Sequence, residues 1–327
     1  MRALKYALVG AALLACQPAV ANDKIKMSVS VIAGAFAMYF TGVDQGFFAD
    51  EGLDVEIIGA AGPTATAALM SGDLQFNGSA GAAVPAILRG APLKVMMVSN
   101  DRPPYQLWSG DEKIKSLDDI KGARIGVIST GDTHEFALRL LLTSQKIDPN
   151  SVVFVPVGPG AGRMAGLMSG TLGAASLTMD EIQQMQKEAK LHMVADTSKM
   201  VRIINGGMAT SDKMLGPERE ITKRFVRALV KSRRYVAVHE KEAADSIEKR
   251  NKAMSRQAII DGFRISQATA TPDGTVPEET QKLEVSLRAE QLKLPPEKVP
   301  GLEKVFDFSV LNEVNRELDA SGWKPAP

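Results

Sequence analysis

Residues 39–58 read YFTGVDQGFFADEGLDVEII, and this stretch decides the fold. A helix-like run ends at Gln45-Gly46, and a short amphipathic turn, Phe47-Phe48-Ala49-Asp50-Glu51, follows. Gly52 then leads into a strand-like segment from Leu53 to Ile58. Glycines 46 and 52 supply positive-φ stops that β-branched residues adopt only under strain.

Working outward, the chain alternates strands and helices. Strands are expected at 24–32, 53–58, 74–77 and 93–99, with helices at 37–45, 63–71 and 82–89 between them. This βαβαβαβ order argues for an α/β protein with a mostly parallel sheet covered by helices on both faces. Pro103-Pro104 punctuates the chain, and Tyr105–Ser109 reads as an extended crossing segment. A second unit of similar grammar runs from Ser116 to about 195, with strands at 124–128, 152–157, 173–177 and 191–195. From about Ile203 the chain reads as a return crossing, and five helical stretches between 217 and 320 pack back on the first unit.

The pattern at 39–58 resembles the signature of bacterial solute-binding proteins, in the branch that serves aliphatic sulfonates, taurine, nitrate and thiamine-pyrimidine precursors. Three further motifs carry the likeness. Lys121–Val127, KGARIGV, resembles the strand that opens the second lobe, Ser71–Phe76, SGDLQF, resembles a first-lobe turn, and Ala165–Gly170, AGLMSG, its second-lobe counterpart. Gly173 stands where that family usually has an aspartate.

The resemblance implies a two-lobed periplasmic binding protein fold (type II), each lobe a mostly parallel sheet flanked by helices. Lobe 1 is expected at 22–108 plus 207–327 and lobe 2 at 109–206, with hinge crossings near 105–112 and 203–209. The implied role is the substrate-binding subunit of an ABC-type importer. It would capture a small organic anion, a sulfonate or carboxylate, between the lobes and deliver it to permease subunits in the inner membrane. A monomer without cofactor or turnover is expected. Two other roles stay open: a receptor for a neutral pyrimidine or other heterocycle, and an enzyme like the eukaryotic relatives that make the thiamine pyrimidine. Those enzymes carry a cysteine-rich metal motif.

The first 21 residues read as a secretory signal: Arg2 and Lys5, an apolar run Ala7–Ala15, and an Ala19-Val20-Ala21 cleavage site. Cys16, the single cysteine of the 327 residues, lies inside it. The expected compartment is therefore the periplasm, with lipid anchoring through Cys16 as the alternative. Cleavage after Ala21 leaves no cysteine, hence no cysteine-rich motif. Charge is nearly balanced, 39 basic against 38 acidic residues, which argues against a nucleic-acid or membrane-surface partner. Aromatic residues make up only 5%, too few to favour sugar platforms or cation cages.

Ligands of open α/β sheets bind beyond the C-terminal strand ends, where loops start helices. Candidate contacts are Gly78, Ser79 and Ala80 after one strand, and Thr130, Gly131, Thr133 and His134 after another. Phe36 and Tyr39 would cover the cleft from lobe 1, and Ser176 and Thr178 would face it from lobe 2. Helix N-termini with unpaired N–H groups suit sulfonate or carboxylate oxygens. Each candidate has a plainer role: Ser79 as a turn residue, Phe36 as core, Asp132 or Thr133 as a helix cap. Arg163 reads as a solvated charge at a helix start. His134, His192 and His239 are too scattered to suggest a metal triad. No catalytic or metal-ligating set emerges.

Overall fold

The computed structural model describes residues 22–158, 160–186 and 190–326; the expected signal and Cys16 lie outside the described residues. The strands are β1 (Asp23–Val29), β2 (Leu53–Gly59), β3 (Phe76–Asn77), β4 (Leu93–Asn100) and β5 (Gln106–Ser109). They continue with β6 (Arg124–Val127), β7 (Val153–Pro156), β8 (Ala174–Leu177), β9 (His192–Asp196) and β10 (Gly206–Ser211). They build two five-stranded sheets, ordered β2-β1-β3-β10-β4 and β7-β6-β8-β5-β9.

The two sheets follow one plan. β1 pairs in parallel with β2 and β3, and β6 with β7 and β8. In fourth place each sheet takes an antiparallel strand, β10 in the first and β5 in the second. Both strands come from chain that has just crossed between the sheets. Residues 106–109 and 206–211, expected as crossings, are therefore ladder strands. Pairing satisfies backbone N–H and C=O groups that a buried crossing would leave open. The connections themselves occupy 101–105 and 197–205, upstream of the expected positions. Residues 106–108 accordingly belong with the second sheet.

The stretch 39–58 shows why its residues matter. Gly46 and Gly52 have φ of 76° and 69°, closing the turn on both sides of Phe48. That turn swings the Phe48 ring inward to 5.2 Å from Phe225, which in turn stacks on Phe76 at 3.8 Å. Phe225 belongs to the helix Arg219–Val236, so the C-terminal helices are pinned to the first sheet through these rings. Helix Ser309–Ala320 adds Val310, Leu311, Val314 and Leu318 to the same core. The second sheet has its own core around Leu107, Ile125, Leu138 and Leu141.

Candidate functional site

A cavity of about 480 Å³ lies where the C-terminal ends of strands from both sheets face each other. Ser30 follows β1, Gly78 and Ser79 follow β3, Ser129 follows β6 and Thr178 follows β8, and all line it. Tyr105 and Asn205, one from each crossing, complete the wall. Parallel strands of both sheets thus deliver their helix-starting loops to one space, as open α/β sheets do.

On the first-sheet side, Asn77 Oδ1 accepts the Ser79 N–H at 2.9 Å and so fixes the loop that opens helix Ala80–Leu88. A side chain at 78 would put its Cβ 2.6 Å from the Ser28 carbonyl oxygen, so only glycine fits. Phe36 and Tyr39 line the cavity with ring centroids 6.2 Å apart. The Tyr39 hydroxyl donates to the Gly207 carbonyl at 3.2 Å, and burial holds it far above the usual tyrosine range.

On the second-sheet side, Asp132 caps helix Thr133–Ser144. Its two oxygens accept the Ser129 and Glu135 N–H groups at 2.8 Å each. Burial raises the Asp132 carboxyl above its ordinary value. His134 stacks on Tyr105 at 3.7 Å and 17°, and its Nδ1 lies 2.9 Å from Ser176 Oγ. Burial, then the nearby Arg163 charge, pushes the imidazole well below the ordinary histidine range, so the ring is neutral at pH 7. The Tyr105 hydroxyl in turn donates to Asn205 Oδ1 at 2.5 Å, tying one crossing to the other.

Arg163 departs from its expected solvated role: it is 0% exposed. Its guanidinium pairs with Glu181 and donates to the Ser176 carbonyl, while Nε has no hydrogen-bond partner. Glu181 also accepts the Gly160 and Thr178 N–H groups at 3.1 and 2.9 Å. It thereby neutralises the single arginine or lysine among the described lining residues.

Of the residues singled out from the sequence, Phe36, Tyr39, Gly78, Ser79, Thr133, His134 and Thr178 line this cavity. Four do not. Ala80 is buried inside its helix, which starts two residues earlier than expected. Thr130 is exposed, and the Gly131 N–H is held by Glu135 Oε2 at 2.8 Å. Ser176 lies behind His134, buried by its hydrogen bond. Tyr105, Asn205 and Glu181 were not singled out, and Arg163 was read as a solvated charge. The proline pair before Tyr105 reads as a connector, and nothing in the spacing of Arg163 and Glu181 announces that they meet. The described residues hold no cluster of metal-ligating side chains, and none of their helices is long and apolar enough to cross a membrane.

The family model described as NMT1/THI5 like matches residues 34–243. No curated protein sequence matches the chain. Among solved structures, the alkanesulfonate-binding protein SsuA from Xanthomonas axonopodis pv. citri, bound to MOPS, is 13% identical with a TM-score of 0.71, covering 88% of this chain and 98% of its own. The periplasmic nitrate-binding protein NrtA from Synechocystis PCC 6803 is 14% identical with a TM-score of 0.71, covering 92% and 90%. A cysteine-to-serine variant of DszB in complex with biphenyl-2-sulfinic acid is 16% identical with a TM-score of 0.61, covering 90% and 99%. At these identities the likeness establishes a shared fold: the periplasmic binding protein architecture, in two mixed sheets.

Proposed function

The chain belongs to the NMT1/THI5-like family, and from that premise we propose that it is the substrate-binding subunit of an ABC-type importer. The observation that carries this reading is the cavity itself. It is closed between two sheets and roofed by both crossings, and it is lined by hydroxyls, ring faces and a helix N-terminus. Such a space binds and releases; the reading assigns it no catalytic step.

The ligand is a small organic anion, a sulfonate or carboxylate. Its head group meets Ser79, Thr133 and the start of helix Thr133–Ser144, and its body lies along Phe36, Tyr105 and Met179. Helix N-termini favour anions through free N–H groups and the helix dipole. The likeness to alkanesulfonate- and nitrate-binding proteins supports this choice. The protein acts in the periplasm as a monomer. Lobes 22–108 plus 207–327 and 109–206 close on the ligand, with residues 106–108 moving with the second, and the permease reads the closed form.

One observation favours a second ligand class. The Arg163 charge is already taken by Glu181, and Tyr105 and His134 offer a flat wall. A neutral heterocycle suits that wall without needing a free cation.

A thermal-shift screen with alkanesulfonates, arenesulfonates, carboxylates, nitrate and pyrimidines tests both. A ligand at about 100 times its Kd adds about 2.7 kcal/mol, a shift of several degrees in a chain of this size. Shifts with anions support the first reading, and shifts with uncharged heterocycles alone support the second. No shift with any compound rejects both ligand classes.

A further inference from the structure

Helix Glu278–Gln291 packs with the first sheet through Val285, yet it also reaches the second lobe. Arg288 Cζ sits 3.3 Å from the ring centroid of Phe136, which lies on helix Thr133–Ser144. Leu287 packs beside it against Tyr105, Phe136, Ala137 and Ile203. We infer that the Arg288–Phe136 contact is a brace outside the cleft that holds the lobes at the closed angle and so sets the balance between open and closed receptor.

The contact is built rather than incidental. Arg288 and Glu284 are 1% and 2% exposed, and Glu284 Oε1 accepts from Arg288 Nε at 3.0 Å. Glu284 Oε2 accepts the N–H of Ile204, which lies in the second crossing, at 3.1 Å. One carboxylate therefore holds the arginine and the crossing together. Arg288 Nη2 has no hydrogen-bond partner, so the Phe136 face is what covers the guanidinium. A desolvated cation on a ring face is a strong contact that depends on position.

The same helix connects the brace to the cavity. Residues two apart on a helix point to different sides. His134 stacks on Tyr105 in the cavity wall, whereas Phe136 turns away to Arg288. A rotation of the lobes moves this helix, and with it the ring, relative to Arg288. The arrangement described is a shut one. At the mouth, Gln183 of the second lobe donates to Asp261 of the C-terminal helices, and Met179 and Ile265 both line the cavity. A contact present in the shut arrangement stabilises it, and its loss shifts the population toward open.

The inference rests on the two-lobed receptor reading, but its test needs no ligand, so a failed ligand screen and a failed brace give separate results. A chain starting at Asn22 has no cysteine. Spin labels at Asp73→Cys and Gln145→Cys, both exposed and on different lobes, report the interlobe distance by pulsed electron resonance. Phe136→Leu keeps the buried ion pair and removes only the ring face. It is expected to raise the open-to-closed ratio about thirtyfold, the order of a desolvated cation–ring contact. Arg288→Met removes the same contact and also frees Glu284, so adding Phe136→Leu to it should shift the ratio no further. A distance distribution for Phe136→Leu that coincides with the parent overturns the brace, even if Arg288→Met fails to fold. Additive shifts in the double variant also overturn it, because they deny that the two residues act through one contact.

Discussion

Arg163 and Glu181 form an ion pair inside the wall of the cleft, the guanidinium fully buried and the carboxylate also held by two backbone N–H groups. The pair closes on itself, so the wall offers hydrogen-bond donors but little net charge. Removing one partner of a buried pair leaves the other charge uncompensated, a loss of about 3–5 kcal/mol. Glu181→Gln should therefore lower stability by about 3 kcal/mol, seen as a lower urea midpoint at unchanged slope. An anionic ligand should restore part of that loss by facing the freed Arg163. A midpoint within error of the parent would show that the pair carries no such weight.

Ser79 and Thr133 approach the cavity from opposite sheets, so a head group between them needs both. Losing one hydrogen bond to a charged group costs about 1.5–3 kcal/mol, roughly ten- to a hundredfold in Kd. Ser79→Ala and Thr133→Ala should each weaken the best anion from the screen by that factor in calorimetry, with little change in melting temperature. Thr130→Ala serves as the control. Thr130 is exposed and does not line the cavity, so its affinity should match the parent.

His134 gives stability an acid limb. Burial holds its native pKa well below the ordinary value, so the unfolded chain binds a proton that the native one refuses. Stability is complete above the unfolded pKa of about 6.5 and falls as pH drops below it, at most about 1.4 kcal/mol per pH unit. Denaturant titrations from pH 7.5 to 4.5 should show this slope. His134→Gln should flatten it by that amount, and equal slopes in parent and variant would refute the assignment.

Much of the fold is legible because its determinants are local. Gly46 and Gly52 mark the turn around Phe48, and the alternating apolar runs mark the parallel strands. The antiparallel strands Gln106–Ser109 and Gly206–Ser211 are not legible in the same way. Their pairing partners lie 65 or more residues away along the chain, or in the case of β10 more than 100, and their own sequences carry only connector signals. The site divides along the same line. Ser79, Thr133 and His134 follow strands and start helices, so position alone points to them. Arg163, Glu181, Tyr105 and Asn205 reach the cavity through tertiary pairs, an ion pair and a hydrogen bond between the two connections, that no spacing encodes.

Asp132 should tilt the stability profile the other way. Its carboxyl is buried at the cavity edge, and burial raises its pKa against the pull of the Glu135 and Ser129 N–H groups. The native state then holds the proton more tightly than the unfolded chain, whose pKa is about 3.9. Stability contributed by this group is full below that value and declines as pH rises through the raised native pKa. Asn caps a helix about as well as Asp, so Asp132→Asn removes the charge and keeps the acceptor for the Glu135 N–H. Asn has one carbonyl oxygen where Asp has two carboxylate oxygens, so the Ser129 N–H loses its partner, a penalty that does not change with pH. Subtracting the two unfolding free energies from pH 3.5 to 7 should therefore give a difference that moves steadily in favour of the variant as pH rises, then levels off. Parallel curves across that range would mean that Asp132 ionises in the folded protein as it does in the unfolded chain.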